Sequence, residues 1–222
     1  MCKRPAFHND FYSAFNLPKV ELIDTDGQGV SHLTATSVVA CGQSYPVDLL
    51  IYSTGFEFEV GANLERRTGI KLTGRKGRTL DEKFASNSPP GPSTLFGIHT
   101  REFPNYLNIG PAQAGVTANQ THTIHIAAQH IAEVVKSVLD EGLVQVIEPT
   151  AEAEEEWSKQ IEQGAQMRLD FHKQCPPGYY NAEGKPEEIP LRWGFYPKGI
   201  VAWGKELKTW REEGSMKGME KR

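Results

Sequence analysis

Apolar and polar positions along this chain change rhythm several times, and each rhythm predicts an element. Leu49, Leu50, Ile51 and Tyr52 form a continuous apolar run, the pattern of a strand covered on both faces. Ser53, Thr54 and Gly55 follow with small side chains and one residue free in φ. Backbone of that kind can approach a flat or phosphorylated ligand at the carboxyl end of a strand. Upstream, Phe7, Phe11 and Phe15 recur at intervals of four and predict a short amphipathic helix. Residues 20–24, 30–34 and 38–41 read as short strands, with turns at 26–29 and at Gly42-Gln43. No crossover helix separates them, so they predict an antiparallel meander feeding the run at 47–56.

Residues 57–92 are rich in glycine and proline and read as irregular, with one helical turn at 80–84. Two short strands are predicted at 94–98 and 106–109, joined by a turn at 101–105. The rhythm then lengthens. Val116, Ile124, Ile126, Ala127, Ile131, Val134, Val135, Val138 and Leu139 recur at threes and fours, which predicts a long helix over about 117–140 with Gly142 as its stop. A strand is expected at 144–147. Thr150 is the expected N-cap of a second long helix whose apolar side is Trp157, Ile161, Ala165 and Leu169. Glu152, Glu154, Glu155 and Glu156 suit the positive end of that helix better than they suit a metal. A last helix is expected over 205–213, with Leu207 and Trp210 inward, and the polar tail from Gly214 is expected to fray.

Composition narrows the class. The chain has 222 residues, enough for one or two domains, and 38% of them are hydrophobic. Mean hydropathy is −0.48, the net charge −4 and the pI about 6.0, so there is no basic footprint for nucleic acid. No apolar run reaches the roughly 20 residues of a membrane helix. Cys2, Cys41 and Cys175 lie far apart and read as unpaired thiols of a reducing, cytoplasmic compartment. The basic residues between 66 and 78 read as a solvated loop. Lys3 and Arg4, so close to the first residue, suggest a working segment cut from something longer.

The chemistry is concentrated at one turn. Gly110-Pro111-Ala112-Gln113-Ala114-Gly115 leads from a strand into the long helix. Free N–H groups and the positive end of a helix dipole suit a polar or anionic ligand there. His122, His125 and His130 lie on that helix without a carboxylate to complete a metal set. They read as histidines bonded to backbone or solvent. Cys175 has no base beside it, and neither a Gly-x-Ser-x-Gly elbow nor a Gly-x-Gly-x-x-Gly fingerprint is present.

Six stretches in order nevertheless resemble the C-terminal half of the flavin-dependent class B monooxygenases. The similarity is greatest to Baeyer–Villiger monooxygenases of the longer, steroid- and macrocyclic-ketone-oxidising kind. They are 2–10, 15–20, 48–56, 103–111, 175–181 (Cys-Pro-Pro-Gly-Tyr-Tyr-Asn) and Trp210-Arg211. The resemblance implies an incomplete α/β fold, the C-terminal part of a flavoprotein monooxygenase with two dinucleotide-binding domains, one for FAD and one for NADPH. Residues 1–52 would end the NADPH-binding domain, and 53–222 would close the FAD-binding domain and carry an extended tail. Ser53-Thr54-Gly55-Phe56 resembles the family's Ala-Thr-Gly crossing motif, with serine for alanine.

The resemblance also implies roles. Lys3 would bind the 2′-phosphate of NADPH, and Arg4 would reach over the flavin and stabilise an anionic peroxyflavin, as a permanently charged guanidinium can. Thr54, Gly55, Gly110, Pro111, Gln113 and Asn119 would line the cofactor, with Gln113 to Asn119 along the flavin edge and the substrate pocket. The implied reaction inserts one oxygen atom next to a ketone carbonyl. Both dinucleotide fingerprints, the Phe-x-Gly-x-x-x-His signature and the acidic partner of the catalytic arginine are absent from this sequence. The isolated chain is therefore expected not to turn over without the N-terminal half. The alternative is a non-catalytic interaction protein that binds a partner through an uncovered apolar face.

Overall fold

The structure, a computed structural model, describes residues 2, 3, 6–54, 64–142 and 146–222. The chain divides into two compact units, Lys3–Glu57 and Phe58–Arg222, and Cys2 groups with the second.

In the first unit, the helix α1 is a single turn, Phe11–Ala14, where Phe11 packs edge-on against Tyr12 and Phe15. β1 (His32–Leu33), β2 (Ser37–Ala40) and β3 (Gln43–Pro46) form the expected antiparallel meander. Its register pairs Val39 with His32 on one side and Ser44 on the other. Cys41 (φ 50°) and Gly42 (φ 75°) make the hairpin turn between β2 and β3.

Two expectations fail in this unit. Residues 20–24 form no strand. The run at 49–52 is neither a strand nor buried: Leu49 is 76%, Ile51 74% and Tyr52 70% exposed. Sheet pairing ends at Pro46, so no neighbouring strand among the described residues gives Leu49–Tyr52 a ladder or a cover. The apolar run is legible, but its burial needs a partner that the described residues do not contain.

The second unit holds the core. α2 (Leu64–Thr68) is followed by α3 (Leu80–Ser86), which starts at a complete capping box. There Glu82 N–H donates to Thr79 Oγ1 (3.1 Å) and Thr79 N–H donates to Glu82 Oε2 (2.8 Å). α4 (Gln120–Glu141) ends at Gly142, left-handed as a C-cap glycine should be (φ 67°). β4 (Ile147–Pro149) leads into α5 (Ala151–His172), and α6 (Gly199–Glu212) packs on α4. Trp157, Ile161, Trp203, Leu207, Val134 and Phe96 fill the space between the helices.

The stretches 94–98 and 106–109 make only isolated bridges, Leu95 with His99 and His99 with Leu107. The tail does not fray. Met216 is buried, and β5 (Met219–Lys221) pairs antiparallel with β4. Its polar side chains are spent on ions: Arg222 meets buried Glu148, and Arg101 reaches Glu220 at 2.7 Å. Residues 143–145, where part of the expected strand falls, lie outside the described residues.

The cysteines correct another expectation. Cys2 and Cys175 are joined as a disulfide with Cα atoms 5.3 Å apart, and only Cys41 is free. A separation of 173 residues gives no spacing signal. Cys175 belongs to a loop centred on buried Asn181, whose Nδ2 donates to the carbonyls of His172, Cys175 and Pro176 and whose Oδ1 accepts from Gly178 and Gly184.

Candidate functional site

The turn into α4 is built from two strained loops locked together. Phe96 (φ 64°) and Gln113 (φ 60°) both hold left-handed backbone that non-glycine residues rarely adopt. Gln113 is fully buried, and its carboxamide is saturated. Its Oε1 accepts from Thr94 Oγ1 (2.7 Å) and Thr94 N–H (3.1 Å). Its Nε2 donates to the carbonyls of Pro92 (2.6 Å) and Arg192 (3.1 Å).

Two indoles tie down the strained residues themselves. Trp157 Nε1 donates to the Gln113 carbonyl (3.0 Å) and Trp203 Nε1 to the Phe96 carbonyl (3.1 Å). Two glycines make the approach possible. A Cβ on Gly97 would stand 2.9 Å from Ala112 O and Ala114 N, and one on Gly115 2.6 Å from Trp203 Cβ. Over this scaffold Pro111 and Asn119 are exposed and Gly110 is half-buried.

The N-terminus of α4 is open. Asn119 makes no cap bond to the backbone, because its Oδ1 accepts from the Thr121 hydroxyl instead. No acidic side chain occupies the first turn. Thr123 is buried one turn in, and its hydroxyl has no hydrogen-bond partner. A helix end of this kind presents its N–H groups and positive dipole to whatever lies beyond it.

Behind the loops lies a polar chain that the sequence does not announce. Arg211 Nη1 lies 3.1 Å from His130 Nδ1, and His130 Nε2 lies 3.2 Å from His99 Nε2. A guanidinium can only donate, so His130 Nδ1 accepts, its Nε2–H donates to His99 Nε2, and His99 carries its proton on Nδ1. Burial holds His99 down to about 4; burial, then the charges of His99 and Arg211, hold His130 down to about 2. Both are neutral near pH 7. His130 is therefore bonded to side chains rather than to backbone or solvent. His122 and His125 are exposed on the same helix. Among the described residues no group of three or more metal-ligating side chains converges.

The expected site residues distribute as follows. Gly110, Pro111, Gln113 and Asn119 belong to the one loop-and-helix turn of the second unit. Lys3 and Thr54 are exposed residues of the first unit. Arg4 and Gly55 lie outside the described residues. Gln113 braces the loop with every polar atom of its side chain, leaving none for a ligand. Thr94, Trp157 and Trp203, which complete the brace, were not legible as site residues, since no motif surrounds them.

No family model matches the sequence. Over its whole length the chain is 62% identical to a ketocytochalasin monooxygenase of Aspergillus clavatus and 54% identical to a Baeyer–Villiger monooxygenase of Penicillium patulum, covering 34% and 36% of them. It is 39% identical to an FAD-binding monooxygenase of Hypomyces subiculosus, again over all of this chain and 36% of the relative. The chain thus spans about a third of the length of the curated relatives it matches. Among solved structures, the polycyclic ketone monooxygenase of Thermothelomyces thermophila superposes with a TM-score of 0.89 at 35% identity, over 100% of this chain and 35% of that one. A cyclohexanone monooxygenase of Rhodococcus sp. Phi1 bound to NADP+ superposes with a TM-score of 0.74 at 25% identity, over 100% and 39%.

Proposed function

We propose that this chain is part of a Baeyer–Villiger monooxygenase, like the relatives it matches, and supplies part of the flavin and NADPH sites of an enzyme that inserts one oxygen atom beside a ketone carbonyl. The reading rests on one observation above the others: α4 begins without a side-chain cap or an acid, next to a loop fixed in a strained conformation. A group that gains negative charge on reduction fits that helix end, as the flavin ring does.

In this reading the Gly110 and Pro111 backbone and the Asn119 amide border the flavin edge, while Gln113 acts as a brace that keeps their positions. FAD supplies the oxygen-activating chemistry when bound, and the protein supplies placement and charge. Lys3 takes the 2′-phosphate of NADPH, Arg4 stabilises negative charge beside the flavin, and Thr54 and Gly55 lie at the crossing between the two cofactor domains, 1–52 and 53–222. The relatives' FAD-binding and NADP-bound descriptions support both cofactors. The substrate class is a small-molecule ketone.

The exposed run Leu49–Tyr52 supports a further element of this reading. These side chains pair with the part of a full-length relative that lies outside this sequence, so the isolated chain holds no flavin. The same exposure favours a second reading, an interaction protein that uses this face without catalysis. One reconstitution tests both. The chain is purified alone and co-expressed with the other two-thirds of the Aspergillus clavatus relative. The expected result is a colourless chain alone and stoichiometric flavin with ketone-dependent NADPH consumption in the pair. A chain that is yellow by itself would refute the incompleteness. A tight pair without flavin or turnover would favour the interaction protein.

A further inference from the structure

Most arginines among the described residues are paired with carboxylates. Arg75, Arg78, Arg101, Arg192, Arg211 and Arg222 each meet a carboxylate. Arg168, near the C-terminal end of α5, does not. Its guanidinium has no hydrogen bond or ion pair with any described residue, and its one contact of note is the Phe195 ring, whose centroid is 4.4 Å from Cζ. The cation is half-buried and stacks on one aromatic face, and its five N–H donors are taken by no described protein group.

The guanidinium borders a cavity of about 20 Å³ between α5 and the turns that follow the 175–184 loop. His172, one helical turn beyond Arg168 and on the same face, lines it together with Tyr180, and Leu169, Ile189 and Pro190 give it an apolar wall. Among the described residues no Asp or Glu lines it. Burial pulls Arg168 and His172 below their ordinary basicity, and the Arg168 charge adds to the effect on His172. A cation facing a low-dielectric wall with no counter-charge among the described residues is costly, and an anion entering the cavity would relieve that cost strongly. The volume suits a species of about one water's size.

We propose that this cavity binds a small monovalent anion, chloride or the carboxylate end of a small organic acid, on the Arg168 guanidinium. The site is separate from the turn into α4 and does not depend on the monooxygenase reading.

The test is ³⁵Cl line broadening with the full 222-residue chain, alongside a ¹H–¹⁵N map recorded during the chloride titration. Saturable broadening at millimolar chloride is expected, with shifts centred on the Arg168 Nε–H and on the His172 and Tyr180 amides. Displacement by acetate would mark carboxylates as occupants too, and resistance to acetate would restrict the site to halide; either supports the proposal. Arg168→Gln should weaken binding about tenfold or more, as expected for loss of a charge-assisted contact. Unsaturable broadening, or shifts that map elsewhere, would overturn the proposal. The parent map decides the question even if Arg168→Gln fails to fold.

Discussion

α4 and α5 are each 22 residues long, yet their N-termini are built to opposite ends. α5 satisfies itself. Thr150 Oγ1 accepts from Ala153 N–H (3.1 Å), and Glu152 and Glu154 answer the dipole from the first turn. Glu154 is buried and receives both Lys83 Nζ (2.8 Å to each oxygen) and Arg101 N–H (2.7 Å). Burial pushes Glu154 up and Lys83 down, but that bidentate contact keeps the two as an ion pair. α4 has a cap residue that does not cap, no acid and a buried hydroxyl without a partner. Two helices of equal length thus have unequal ends: one is closed by the protein's own side chains, and the other is the end to which the proposed function assigns the flavin.

Breaking the closed end should cost most. Lys83→Met strands Glu154 in the interior and should destabilise the chain by about 3–5 kcal/mol in urea unfolding, with much of the loss recovered when Glu154→Leu is added. Acid should come next, acting on the histidine chain behind the open end. Both histidines titrate lower when folded than the ordinary 6.5, so their contribution is complete above that pH and is lost as pH falls toward the folded values, about 4 for His99 and about 2 for His130. His99 alone should account for about 3 kcal/mol by pH 4, a loss that His99→Gln should flatten in unfolding curves measured from pH 7 to 4.

Gly115→Ala forces a methyl to 2.6 Å from Trp203 Cβ and should cost about 1–3 kcal/mol. In the reconstituted enzyme it should also lower flavin occupancy, because the brace moves. The smallest effects compare the two caps directly. Thr150→Ala should cost about 1 kcal/mol, whereas Asn119→Ala should cost well under half of that. If the two cost the same, the α4 end is capped after all and the contrast collapses.

Much of this was readable in the chain. The 3.6-residue rhythm from Ile124 to Leu139, with Gly142 behind it, located α4 to within a few residues, and Thr150 marked the start of α5. The first two strands of the meander, β1 and β2, were legible from their short apolar pairs and the turn at Gly42, whereas β3 (Gln43–Pro46), with mostly polar side chains, was not. What failed did so for physical reasons. Leu49–Tyr52 has the composition of a buried strand, but composition cannot say whether a neighbour is present. The tail at 219–221 carries three long side chains, two of them charged, and its pairing with β4 depends on ion pairs to residues about 70 to 120 positions away. Glu154 looked like surface design because the helix pattern hides Lys83, 71 residues upstream. The glycine–proline turn led to the uncapped start of α4. The Gln113 clamp stayed hidden because its partners Thr94, Pro92 and Arg192 are distant in sequence and unremarkable alone.

The two indoles that hold the strained carbonyls of Phe96 and Gln113 also give the protein an optical reporter of its own site. Each has its N–H committed to the loop it restrains, and each ring is shut away from water, Trp203 at 0% and Trp157 at 2% exposure. Any loosening of the turn into α4 must free an indole N–H or admit solvent to a ring. With Trp193 and Trp210 replaced by phenylalanine, the emission of Trp157 and Trp203 can therefore follow the condition of this turn in real time and without a label.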